Sequence, residues 1–220
     1  MSKVIVRPML NSDIPAVVPM EHDAWHQYYS QYPIYQVIKD SVTLEGLTKD
    51  WEEFLELSRQ TTGPLVVGQD RQAFVATVDG KVAGVGAVSS YVEGKWPEVD
   101  ALLRGADGKV RKTAKFQELY VHQSMRGKGL GHHLSITRAD AMLEKGYAAI
   151  FLTTYADAEL TTVFHEKNGL KKVHEYMSMQ TYADGKRARI GCFLDKDLHA
   201  YRERLNTDLQ KKIAAGKALA

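Results

Sequence analysis

The stretch Phe116-Gln-Glu-Leu-Tyr-Val-His122, continued by Gln-Ser-Met-Arg126-Gly127-Lys128-Gly129-Leu130-Gly131, decides the fold. Its first half reads as a core strand. Its second half is a loop with glycines at alternate positions, and it runs straight into a helical pattern over Lys128–Lys145 that Gly146 ends. A strand delivering its end to a helix N-terminus builds an anion site, because the first helical N–H groups lack partners and the dipole is positive there. Gly127, Gly129 and Gly131 let the backbone approach an anion closely. Arg126 and Lys128 add positive charge at the same mouth. The spacing fails the P-loop pattern Gly-x-x-x-x-Gly-Lys-Ser/Thr. It also fails the dinucleotide pattern Gly-x-Gly-x-x-Gly.

Arg-Gly-x-Gly-x-Gly after a Glu-Leu-Tyr-Val strand resembles the acetyl-CoA loop of the GNAT superfamily of N-acetyltransferases. A second segment, Ala158 to Leu170, resembles that family's Phe-Tyr-Glu-Lys-x-Gly-Phe motif through Phe164, Glu166, Lys167 and Gly169. It departs from the motif with His165 for the tyrosine and Leu170 for the last aromatic. Ala158 stands where the family often has an asparagine. The resemblance covers roughly residues 72–195, with a family-like start at residues 3–20.

The resemblance implies an α/β (α+β) GNAT fold: a mixed, mostly antiparallel sheet flanked by helices, with a splayed pair of core strands. It implies acetyl-CoA as cosubstrate and no metal. Residues Arg126, Gly127, Lys128, Gly129, Leu130 and Gly131 would grip its pyrophosphate. Strand-edge amides at Leu119 and Val121 would hold the pantetheine and acetyl carbonyl, with the Val121 N–H as oxyanion donor.

Around these motifs the chain is ordinary for a soluble globular protein: 220 residues, 44% hydrophobic, 25% charged. A net charge of +2 gives no reason to expect nucleic acid or a membrane as partner. One cysteine, Cys192, excludes an internal disulfide and fits a reducing compartment. No apolar run reaches the ~20 residues a bilayer span needs, and no leader is evident, so the cytoplasm is the expected location.

A strand over Val4–Arg7 precedes a helix capped by Ser12 or Asp13. A helix is expected over Thr43–Arg59, and a hairpin over Gln72–Val78 and Lys81–Ser89, where Asp79-Gly80 is a type I′ turn signal. Residues 93–113 read as an insertion with a short helix over Glu98–Leu103. A strand over Ala148–Thr154, a helix over Asp157–Asn168 and a hairpin around Asp184-Gly185 follow. Residues 1–195 thus form the domain. Residues 196–220 form a C-terminal helical extension that packs on the domain or on a second subunit, which leaves a homodimer open.

Acetyl transfer needs a neutral amine, a donor for the carbonyl oxygen and a proton for the thiolate. Glu118 is the candidate base, or else one half of a cross-strand ion pair. His165 takes the place of the tyrosine that serves as general acid in the family. It acts as acid or base, or simply fills that space. Tyr155, at a strand end, is a second candidate acid or a structural tyrosine. Glu21, Trp25, Tyr28 and Tyr29, in an aromatic-rich segment, would attract and hold an ammonium by charge and cation–π contact, or else form the apolar face of a helix. His132 and His133 point about 100° apart on a helix and do not chelate. His22 and His26 stand at i, i+4 without an HExxH pattern. The expected activity is transfer of acetyl to a primary amine of a small molecule, a simple amine or an amino-acid-like acceptor. A protein N-terminal or lysine acetyltransferase and a non-catalytic acyl-CoA-binding module are the alternatives.

Overall fold

The computed structural model describes residues 3–59, 69–156, 158, 164–182 and 185–220. Seven strands form one sheet: β1 (Val4–Pro8), β2 (Gln72–Val78), β3 (Lys81–Ser90), β4 (Thr113–Val121), β5 (Ala149–Tyr155), β6 (Lys171–Thr181) and β7 (Arg187–Asp195). Their order is β1-β2-β3-β4-β5-β7-β6. Every neighbouring pair is antiparallel except β4–β5. Among the described residues, helices α1 (Ile14–Tyr28), α2 (Tyr35–Ile38), α3 (Leu44–Arg59), α4 (Pro97–Leu103), α5 (Leu130–Glu144) and α6 (Leu198–Ala214) accompany them.

Alternate strand residues feed separate cores on the two faces. Phe74, Phe116, Ile150 and Phe193 pack with Leu134 of α5 and Leu205 of α6. On the other face Val75, Val85 and Ala87 meet α1 and α3, while Phe151 and Cys192 meet α4. Burial on both faces explains why the central strands read as nearly continuous apolar runs. The β2–β3 turn has positive φ at both Asp79 (49°) and Gly80 (78°), as a type I′ turn requires.

Three expectations need correction. First, β4 begins at Thr113, inside the supposed insertion, because residues 113–115 pair with β5, a contact that local pattern does not show. Second, α5 starts at Leu130 rather than Lys128, since Gly129 is left-handed with φ 86°. Third, Asp13 does not cap α1 through its side chain. Its carboxylate accepts from the Leu10 amide at 2.8 Å and takes both arms of the Arg7 guanidinium at 2.7 Å. These bonds hold the carboxyl below the usual carboxylate range. Half of the helix expected over Asp157–Asn168, and Asp184, lie outside the described residues; residues 164–167 are helical.

The C-terminal helix packs on α5. Leu205 and Leu209 are buried and Arg202 binds Asp140 at 2.8 Å. Beyond it the Leu219 amide donates to the Lys128 carbonyl, and the Val4 amide to the Ala220 carbonyl, both at 3.0 Å.

Candidate active site

Strands β4 and β5 pair over only three residues, Thr113–Lys115 against Ala149–Phe151. Past that point no ladder joins them, and a cavity of about 750 Å³ occupies the opening. The His122 amide donates to the Ala83 carbonyl at 2.9 Å, toward β3. Strand alternation therefore turns the Val121 and Leu119 amides away from β3, into the cleft.

Glu118 sits where the sheet breaks register. Gly86 pairs with Leu119 but Ala87 pairs with Gln117, so Glu118 is the extra residue of a β-bulge. Its φ is +38°, a strained value for a residue with a side chain. Arg138 of α5 holds this bulge from beneath. It is 2% exposed, donates to the Ala87 and Gln117 carbonyls at 3.1 and 2.9 Å, and lies 4.4 Å from the Phe116 ring centroid. A Cβ at Gly86 would meet the guanidinium at 3.2 Å, so glycine leaves room for it there.

Glu118 is exposed to the cavity, and the protein surrounding that cavity partly desolvates the carboxylate and raises its pKa. Tyr120 donates to its Oε2 at 2.9 Å. Behind Tyr120 lies Glu21, only 4% exposed, which accepts indole N–H groups from Trp25 at 3.3 Å and Trp51 at 2.6 Å. Burial first, and the nearby charge of Glu118 second, favour the neutral form of Glu21. Glu21 was expected to touch the acceptor, but it is not a cavity-lining residue; it stands one layer back. Trp25 and Tyr29 do line the cavity, stacked with centroids 4.4 Å apart. Tyr28 ends α1, and its side chain lies outside the described residues.

This buried acid makes a prediction about stability. An acid whose folded pKa is raised binds a proton in the folded state that the unfolded chain gives up. Its contribution is therefore complete at low pH and is lost as pH rises from about 4.3 to about 8. Relative to Glu21→Gln, the wild type should lose urea resistance steadily across that window. A constant difference in midpoint would show Glu21 to be ionised throughout.

His165 and Tyr155 face the same cavity. Burial, helped by the Arg138 cation, pushes the His165 imidazole down to about 4, so it is uncharged at neutral pH. Tyr155 is raised by burial and donates to Gln180 Oε1 at 2.8 Å.

At the donor end, Gly127 and Gly129 have φ values of 76° and 86°. Cβ atoms at Gly127 or Gly131 would meet nothing within 4 Å. Among the described residues the amides of Gly127, Gly129, Leu130 and Gly131 have no backbone acceptor. Open space, free amides, Arg126 and Lys128 together fit a pyrophosphate. His132, expected in a solvated or supporting place, is buried at 6% exposure and binds Asp208 at 2.7 Å. Lys212 of α6 stands beside it at 3.3 Å and also lines the cavity. His133 meets the Leu219 carbonyl at 3.0 Å. His26 has both ring nitrogens engaged, by Tyr35 at 2.7 Å and the Val42 carbonyl at 3.2 Å.

Sequence reasoning missed Arg138, Tyr120, Lys115 and Lys212. For Arg138 the signal was present: it falls on the buried stripe Leu130, Leu134, Arg138, Met142, where a charge needs a reason.

The model of the acetyltransferase (GNAT) family matches residues 20–170, and the chain belongs to that family. A search of curated proteins finds no match. Among solved structures, an N-acetyltransferase from Staphylococcus aureus Mu50 is similar with a TM-score of 0.60 and 19% identity, over 90% of this chain and 99% of that one. A ribosomal-protein-alanine N-acetyltransferase from Brucella melitensis gives 0.59 and 16%, over 87% and 99%. The PaiA N-acetyltransferase from Thermoplasma acidophilum, in complex with coenzyme A, gives 0.56 and 16%, over 88% and 99%. At these identities the likeness is one of fold. Among the described residues no helix is long and apolar enough to cross a membrane.

Proposed function

We propose that the chain is an N-acetyltransferase that moves acetyl from acetyl-CoA to the primary amine of a small molecule by direct attack. The observation that carries this reading is the parting of β4 from β5 beside a bulged Glu118. It supports the reading because Glu118, Leu119, Val121 and the Arg126–Gly131 loop all border one cavity. Acetyl-CoA supplies a thioester whose thiolate can leave. Everything else falls to the chain's own residues.

An alkyl ammonium has an unperturbed pKa of about 10.4, so a proton must be removed first. Glu118, with its raised pKa, accepts that proton directly or through water. The freed nitrogen lone pair attacks the carbonyl carbon, and the Val121 N–H meets the charge that develops on oxygen. A preorganised donor of this kind is worth roughly 3 kcal/mol. The carbon–sulfur bond then breaks, the nitrogen gives its second proton to solvent as the amide forms, and the thiolate takes a proton. His165, uncharged near neutrality, has no cationic proton to give. Tyr155, protonated well past neutral pH, is the better donor. Arg126 to Gly131 bind the pyrophosphate, and Trp25 and Tyr29 hold the acceptor.

Trp25 of α1, Tyr155 of β5, Tyr176 of β6 and Ile190 of β7 line the cavity with Glu118, and this lining favours a small molecule over a protein chain. The test is release of free thiol from acetyl-CoA against amines, amino acids and peptides, with products identified by mass. Turnover confined to peptides would replace the small-molecule reading. Acetyl-CoA binding without turnover of any acceptor would favour a non-catalytic module. With an active acceptor, Tyr155→Phe should lower kcat by about 100-fold or more with little change in KM for acetyl-CoA. An unchanged kcat would assign the proton to solvent.

A further inference from the structure

We propose that the acceptor carries a carboxylate as well as its reactive amine, making it an amino acid, and that Lys115 receives that carboxylate. This rests on the transferase reading above and narrows it.

Lys115 lies on β4 three residues before Glu118 and lines the same cavity. Its neighbour Phe116 points into the core beneath α5, so alternation turns Lys115 to the opposite face, that of α4. There its ammonium is 5.6 Å from the Trp96 ring centroid. The group is held in place: Gln117 Nε2 donates to the buried Ser89 hydroxyl at 2.9 Å, which aims the amide oxygen at Lys115 Nζ, 3.2 Å away. An ammonium has three N–H donors, and this contact uses one.

Among the described residues, no ion pair includes Lys115. The acid that influences it most, Glu118, is engaged by Tyr120. The positive charges of Lys95 and Arg71 lie nearby as well, and burial weakens the hold of Lys115 on its proton. Among the described residues Glu118 attracts it only from a distance, no carboxylate touches it, and a half-buried cation placed so gains from an anionic group on a ligand.

Geometry fixes which end of the acceptor goes where. The reacting amine must lie by Glu118 and the Val121 amide, where the strands have parted. Lys115 pairs with Phe151 at the last joined position, the closed end of the cleft. An acceptor whose amine faces the opening thus directs its remainder toward Lys115. Glu118 and Lys115 line the same cavity three residues apart on one strand, and an amino acid offers a group of opposite need to each.

The experiment compares matched acceptors in the thiol-release assay: amino acids, their carboxamides, and the amines that lack the carboxyl group altogether. A series from glycine through longer ω-amino acids reads the spacing. The acid of the best pair should exceed its carboxyl-free partner at least 10-fold in kcat/KM, mainly through KM. Lys115→Met should collapse that preference, and Lys115→Arg should retain most of it. An unchanged acetyl-CoA affinity would show that Lys115→Met is folded. Equal or better turnover of carboxyl-free amines would overturn this inference and leave the transferase reading intact. A carboxylate preference that survives Lys115→Met would also overturn it. Failure of every amine would remove both.

Discussion

Glu118→Gln is expected to lower kcat about 100- to 1,000-fold while leaving affinity for acetyl-CoA unchanged. The amide is nearly isosteric and still accepts from Tyr120 Oη, so the bulge and the cavity wall survive. What it loses is the capacity to take a proton. The pH dependence carries the sharper test. Enclosure raises the pKa of Glu118, so in the wild type the rate should fall as pH drops through a value above the ordinary carboxylate range of about 4.3, because only the ionised form is a base. The variant should lack that limb. A variant with the same acid limb, or with kcat within a few-fold of wild type, would show that another group takes the proton.

Arg138→Met is expected to cost about 1–3 kcal/mol in stability. The guanidinium is buried, and its loss strips donors from the Ala87 and Gln117 carbonyls and from the Ser135 hydroxyl. Partners left unsatisfied account for that cost. The two carbonyls flank the register break, so the bulge that presents Glu118 should relax and kcat should fall in whatever fraction remains folded. A general loss of packing would lower stability too, so a local readout is needed. His165 is held down partly by the Arg138 charge, and its imidazole pKa, followed by NMR, should rise in the variant. Unfolding free energy within about 1 kcal/mol of wild type, or an unmoved His165, would remove Arg138 from this role.

The donor end was legible in the sequence because it is local. A strand, three alternating glycines and a helix start are contiguous, and their chemistry is mostly backbone. The Asp79-Gly80 turn was legible for the same reason. Glu118 could be nominated from its strand, but the bulge that aims it was not visible. That bulge depends on Arg138 reaching across from α5, twenty positions further on. The early start of β4 escaped because its partner lies beyond α5. Glu21 was recognised as an acid among aromatics, yet local sequence could not tell a residue lining a cavity from one sealed behind Trp25 and Trp51. Lys115 drew no attention because a lysine on a strand is ordinarily at the surface. Only the tertiary structure puts it inside.

The segment after α6 has a thermodynamic consequence. The Leu219 amide is bonded to the Lys128 carbonyl, and a Cβ on Gly129 would lie 2.9 Å from both Ala218 and Leu209. The loop that must fit a pyrophosphate therefore takes its shape partly from residues some ninety positions downstream. Two events that share one loop conformation are linked, and linkage is reciprocal. Whatever factor the docked tail contributes to donor affinity, bound donor returns to the docking of the tail. Amide exchange at Leu219 should thus slow in the presence of coenzyme A, although Leu219 has no part in gripping it. Substitutions at Leu209 or Ala218 would be felt as weakened donor binding by residues that never touch the donor.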